Sequence, residues 1–152
     1  DFVIRVTSDC PVIDTFVVDQ IVDFFLKEKV DYVSNSITRT FPRGLDTEIF
    51  SFDSLERAYN EATQQYEREH VTPYIYNHPE IFTLKNFSNK TDYSFHRWTV
   101  DTQEDFLLIE KIYNALYIRD KIFLLDDILE LFRKNPGLIR INQNIQQKEL
   151  GE

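Results

Sequence analysis

The sequence predicts an α/β fold with a mainly parallel sheet, and three observations carry that reading. Short β-prone runs alternate with longer stretches whose apolar residues recur at helical spacing. Turn or capping residues stand at most of the joins. In a chain of 152 residues, 42% apolar and 14% aromatic side chains supply one sizeable core.

The elements follow in order. Phe2-Val3-Ile4-Arg5-Val6-Thr7 is a β-prone run, stopped by Ser8-Asp9-Cys10-Pro11. Asp14 is placed to cap a helix whose Ile13, Val17, Ile21, Phe24 and Phe25 share a face, ending near Lys27-Glu28-Lys29. Asp31–Ser34 reads as a second strand and Thr47–Phe50 as a third, with a turn at Pro42-Arg43-Gly44 between them. Asp53 or Ser54 opens a helix carrying Leu55, Ala58, Tyr59 and Ala62 on one side. A further helical stretch passes through Arg68, His70 and Tyr74 to about Asn77, where Pro79 stops it. Ile81–Phe87 and Arg97–Val100 are the last strand candidates. Asp101-Thr102-Gln103-Glu104 reads as a capping pattern before Phe106, Ile109, Ile112, Tyr113 and Leu116, with Asp101 as the cap. The final helix carries Leu125, Ile128, Leu129 and Phe132 and ends before Pro136-Gly137. One domain over residues 1–142 and a loose polar tail over 143–152 are expected.

Composition excludes several classes. The net charge of −9, from 17 Lys+Arg against 26 Asp+Glu, is spread evenly along the chain. No basic face is evident to neutralise a nucleic-acid backbone. The longest apolar runs, such as Ile122-Phe123-Leu124-Leu125, are far too short to span a bilayer. A lone Cys10 supports no internal disulfide and suits a reducing, cytoplasmic setting. Met is absent and Asp1 leads directly into a strand, which reads as a chain cut within a fold. Only three Gly occur, so no glycine-rich phosphate loop is present.

Ligands of open α/β sheets bind beyond the carboxyl ends of the strands. Asp9 and Asp101 each follow a strand candidate there. Two convergent carboxylates suit a hard cation such as Mg²⁺, but each alone reads as readily as a turn residue or a helix cap. Asp46 and Glu48 alternate along the third strand and could accept hydrogen bonds from sugar hydroxyls, or merely face solvent. Arg68 and His70 could meet an anion or form a surface ion-pair set. His78 and His96 are too isolated for a zinc site.

In combination these segments are more specific. Val3-Ile4-Arg5-Val6-Thr7-Ser8-Asp9-Cys10-Pro11, Asp31-Tyr32-Val33-Ser34-Asn35 and Phe41-Pro42-Arg43-Gly44-Leu45-Asp46-Thr47-Glu48-Ile49-Phe50 come first. Arg68-Glu69-His70-Val71-Thr72-Pro73-Tyr74-Ile75-Tyr76 and Arg97-Trp98-Thr99-Val100-Asp101-Thr102 follow. In this order and spacing, to about Leu116, the chain resembles the spore-coat polysaccharide cytidylyltransferase-like family of the acylneuraminate cytidylyltransferase group. Two positions depart from that pattern: Ser8 stands where Gly is common, and Arg43 where an acid is common.

The resemblance implies a three-layer, Rossmann-like nucleotide-diphosphosugar-transferase sheet, mostly parallel. It implies CMP transfer from CTP to a sugar acid or related sugar for surface polysaccharide, with pyrophosphate released. It implies Mg²⁺ on the catalytic pair Asp9 and Asp101, and a substrate side that includes Arg43, Asp46, Glu48, Arg68, His70 and Arg97. A homodimer is the family expectation. The family's N-terminal nucleotide loop is not found, so the chain reads as the C-terminal two-thirds of such an enzyme, inactive alone. The alternatives are a non-catalytic interaction domain and a glycosyltransferase that uses a finished nucleotide-sugar.

Overall fold

The structure, a computed structural model, describes residues 1–147. Four strands form one sheet: β1 (Phe2–Arg5), β2 (Tyr32–Ser34), β3 (Glu48–Ser51) and β4 (Leu84–Asn86). Their spatial order is β1-β3-β2-β4. Alternation along each strand sends neighbouring side chains to opposite faces, and both faces of the two central strands are apolar. Val33 and Ile49 face one core, whereas Tyr32 and Phe50 face the other.

Helices cover both faces. On the first, α1 (Thr15–Glu28), α5 (Gln103–Leu116) and α6 (Leu125–Lys134) bury Val17, Ile21, Phe25, Leu108, Ile112, Ile128 and Phe132 around Trp98. On the second, α2 (Phe52–Glu61) and α4 (Pro73–Tyr76) contribute Ala58, Tyr74 and Ile75. The short α3 (Gln65–His70) lies between them in sequence. Asp14 caps α1 through Phe16 N–H at 2.8 Å and Val17 N–H at 3.0 Å. Its other oxygen accepts Leu125 N–H at 2.7 Å, so one carboxylate fixes the starts of two helices. Burial over a helical stripe, not propensity, makes these helices stable.

The sheet is mixed and not mostly parallel. β3 is antiparallel to both β1 and β2, and only β2 with β4 pair in parallel. The cause lies in the connections. α1 supplies the crossover that a parallel return needs, so β1 and β2 share a direction. Residues 35–47 contain no helix, and β3 therefore folds back between those two strands.

Three other expectations shift. Residues 97–100 form no strand, only an isolated parallel bridge from Arg43 to Arg97. The stretch through Arg68 and Tyr74 is two helices, broken where Val71 takes φ 72° ahead of Thr72-Pro73. The cap of α5 is Thr102, not Asp101, and its reciprocal partner is Asp105.

Arg43 is held on both sides. Its N–H donates to His96 O at 3.0 Å and its carbonyl accepts Trp98 N–H at 2.7 Å. Gly44 follows at φ +106°, and a Cβ there would stand 2.6 Å from the Trp98 carbonyl carbon. Only glycine satisfies both demands. Gly44→Ala is expected to destabilise the fold by about 2 kcal/mol or more, read as a lowered denaturant midpoint at unchanged slope.

Candidate active site

A cavity of about 1450 Å³ forms an open cleft beyond the ends of β1 and β2 and beside β3. Asp9, Arg43, Asp46, Glu48 and His70 of the expected residues line it, joined by Arg5, Tyr32, Arg39, Thr72 and Tyr76.

Asp9 follows β1. Burial would raise its pKa, but hydrogen bonds from Thr7 and Thr99 outweigh that and hold the carboxyl below the ordinary range. Thr99 Oγ1 donates to Asp9 Oδ2 at 2.8 Å, and Asp9 O accepts Val100 N–H at 2.9 Å. The residue after Val100 is Asp101, so the fold brings the two acids onto hydrogen-bonded segments. Asp101 itself is not part of the cleft lining; its carboxylate accepts from Arg97 Nη2 at 2.5 Å. Among the described residues no group of three or more His, Cys, Asp or Glu gathers at one point. Cys10, beside Asp9, is buried, and its thiol is pushed up to about 11, chiefly by burial. It is no nucleophile at neutral pH.

The second wall is organised by Glu48, buried at the start of β3. Its carboxylate accepts from Tyr32 Oη at 2.6 Å and Thr72 Oγ1 at 2.7 Å, and pairs with Arg5. Burial first, and then the Glu48 charge, push the Tyr76 phenol up to about 12. Asp46 precedes β3 and is gripped by both terminal nitrogens of Arg39, at 2.5 and 2.8 Å. The left-handed backbone at Val71 is costly for a β-branched residue. It turns the chain so that His70 and Thr72 both reach the cleft.

Two expected substrate contacts lie elsewhere. Arg68 donates to Ala62 O at 2.8 Å and lies 5.7 Å from the Tyr59 ring, closing the end of α2. Arg97 has its donors taken: Nε and Nη2 reach Asp105 at 3.0 Å, Nη1 reaches Gln147, and Nη2 also reaches Asp101. It organises the rim of the cleft and does not line the main cavity.

Asp105, Arg5 and Arg39 were not singled out from sequence. Arg5 was visible as the one charge inside an apolar strand. Asp105 was visible as the fourth residue of Thr102-x-x-Asp105, one position later than the pattern chosen. Arg39 carried no signal, because its partner Asp46 meets it through a loop.

The cleft lies past the strand ends of an α/β sheet and is lined by guanidiniums, carboxylates and hydroxyls, a lining whose chemistry suits a charged, hydroxyl-bearing small molecule. The chain belongs to the cytidylyltransferase family, a nucleotidyltransferase family: the model for Cytidylyltransferase matches residues 1–145. It is similar to an uncharacterised protein of Methanocaldococcus jannaschii, 36% identical over the whole chain and 61% of that relative. It is also similar to the spore coat polysaccharide biosynthesis protein SpsF of Bacillus subtilis, 26% identical over 88% of the chain and 55% of that protein. A cytidylyltransferase from Leptospira borgpetersenii serovar Hardjo-bovis superposes with a TM-score of 0.86, at 34% identity over 98% of the chain and 61% of that structure. The chain thus spans 55–61% of the length of these relatives. The match from residue 1 to 145 gives no support to a C-terminal two-thirds reading. No helix among the described residues is long and apolar enough to cross a membrane.

Asp105 is fully buried. Burial alone would raise its pKa, but hydrogen bonds from Arg97 and Asn142 outweigh it and hold the carboxyl low. That stabilisation is complete above the ordinary Asp value of 3.8 and is lost as pH falls through the lower folded value. Asp105→Ala, which leaves Arg97 only its half-exposed partner Asp101 and removes the acceptor for Asn142, is expected to cost about 2–4 kcal/mol at pH 7. The difference from wild type in urea unfolding is expected to shrink below pH 4.

Proposed function

We propose that the chain carries the substrate cleft and the metal-binding acids of an enzyme that transfers CMP from CTP to a sugar. The observation that carries this reading is the ionised Asp9 on the wall of a 1450 Å³ cleft, tied through Val100 to the segment of Asp101. The family supports a nucleotide substrate. The SpsF relative favours a product used in surface polysaccharide.

The residues fit Mg²⁺. Asp9 is ionised and faces the cleft, whereas the half-exposed Asp101 carboxylate is paired with Arg97 outside the cleft lining and would have to turn from that partner to share a cation. Magnesium takes one or two carboxylates and leaves its other positions to water and phosphate, so a two-acid set suffices. Asp9 and Asp101 would hold it, and when bound it neutralises phosphate charge.

The cleft alone carries acids and bases in near balance, with Arg5 and Arg39 already paired to Glu48 and Asp46. A triphosphate therefore needs added positive charge, which favours a cation at Asp9. Asp46, Glu48 and His70 orient the sugar hydroxyls. The acceptor oxygen attacks the α-phosphorus, the bond from that phosphorus to the bridging oxygen breaks, and pyrophosphate leaves. The hydroxyl proton goes to water in the open cleft. Alignment and electrostatics supply the rate, and no protein nucleophile is required.

In the full-length protein, pyrophosphate release from CTP with an acceptor sugar is expected to fall at least 100-fold in Asp9→Asn or Asp101→Ala. Cys10→Ala is expected to keep turnover within about threefold, because the buried thiol takes no part. Full turnover in Asp9→Asn overturns the assignment.

A further inference from the structure

Thr99 is buried to 3% exposure, yet its hydroxyl is spent on a residue ninety positions away in the chain. It lies 2.8 Å from Asp9 Oδ2 and 3.1 Å from Asp9 O. One hydroxyl proton serves both acceptors, and the nearer, charged oxygen holds it more strongly. Thr7 and Cys10 also reach this carboxylate, but both stand on its own turn and move with it. Among the described residues that hydrogen-bond the Asp9 side chain, Thr99 alone comes from another segment.

Asp9 lies in a turn closed by Cys10 N–H on Thr7 O at 3.3 Å, where an aspartate side chain has more than one rotamer open to it. Thr99 has less freedom. Branching at Cβ restricts its χ1, and its main chain packs against Gly44 so closely that a Cβ on Gly44 would stand 2.8 Å from Thr99 N. The hydroxyl is therefore a fixed donor. Val100 N–H holds Asp9 O at 2.9 Å independently, so the backbone tie between the two segments survives without that hydroxyl. What the hydroxyl adds is the direction of the carboxylate.

We propose that Thr99 is a positioning residue: its hydroxyl fixes the Asp9 carboxylate toward the cleft and so sets a preference for Mg²⁺ over Ca²⁺ there. The inference rests on the proposed function, which gives Asp9 a cation to hold, and adds the group that orients it. Mg²⁺ demands near-ideal octahedral geometry, whereas Ca²⁺ accepts flexible ligands that bind through one oxygen or two. A carboxylate locked by Thr99 suits the stricter ion. Freed of Thr99, it suits the more tolerant one. Partners that orient a metal ligand in this way carry about 10–100-fold of metal affinity.

The test is Mn²⁺ binding to the full-length protein, followed by electron paramagnetic resonance and displaced with Mg²⁺ or Ca²⁺. Wild type, Thr99→Val and Thr99→Ser are compared, with Asp9→Asn marking the site and thermal melting checking each fold. Thr99→Val keeps the side-chain shape and removes the donor, and Thr99→Ala repeats that loss without the added methyl. Mg²⁺ affinity is expected to fall about tenfold or more in Thr99→Val, with Ca²⁺ affinity changed less than about threefold and Thr99→Ser close to wild type. Unchanged Mg²⁺ affinity in Thr99→Val and Thr99→Ala overturns the inference, whatever their melting temperatures. Equal loss of both ions, or loss in Thr99→Ser as deep as in Thr99→Val, overturns it too. If wild type binds Mn²⁺ no better than Asp9→Asn, the cation at Asp9 and the role of Thr99 fall together. Thr99-dependent Mg²⁺ binding with no pyrophosphate released from CTP would sink the proposed reaction and leave Thr99 as the orienting group.

Discussion

The buried ion pair of Arg97 with Asp105 is the constraint on which the rim of the cleft depends. Arg97 lies in a segment with no regular structure, bridged to Arg43 and hydrogen-bonded through Thr99 and Val100 to Asp9. Asp105 fixes it from the first turn of α5, where the same carboxylate also accepts the N–H groups of Asp101 and Thr102. Asn142 closes the set by donating both to Asp105 at 2.8 Å and to Arg97 O at 2.9 Å. One carboxylate thereby ties α5, the irregular strand-like segment and the C-terminal stretch into a single unit. Such a pair adds little net stability over an apolar isostere, but removing one member is severe. Its contribution is position: it sets where Asp101 stands and holds Arg97 out of the main cleft.

The opposite wall uses the same logic with Glu48. Three donors from β1, β2 and the turn before α4 meet on it, so the carboxylate joins elements far apart in the chain. With Arg39 and Asp46 also paired, most charge in the cleft is internally balanced. Two charges stand outside these pairs: the ionised Asp9 carboxylate, and the Arg43 guanidinium, which has no ion-pair partner among the described residues.

Local chemistry was legible in the sequence and long-range pairing was not. Apolar spacing located α1, α5 and α6 because each buries one stripe, and Asp14 announced its own cap. The direction of β3 was hidden because it depends on whether residues 35–47 hold a helix, and a thirteen-residue loop leaves no periodicity to read. At the site, the motifs pointed to Asp9, Arg43, Asp46, Glu48 and His70, which do line one cleft. Arg68 and Arg97 look the same as those residues in sequence, and only tertiary contacts reveal that their guanidiniums are spent on Ala62 and Asp105.

The central proposal is that the protein binds cytidine triphosphate through a cation that Asp9 would hold. Calorimetric titration of the chain with CTP, with Mg²⁺ and then with excess chelator, tests it most directly. The account predicts saturable binding that requires Mg²⁺ and is lost in Asp9→Asn. Binding of equal strength without Mg²⁺, or unchanged in Asp9→Asn, would contradict it.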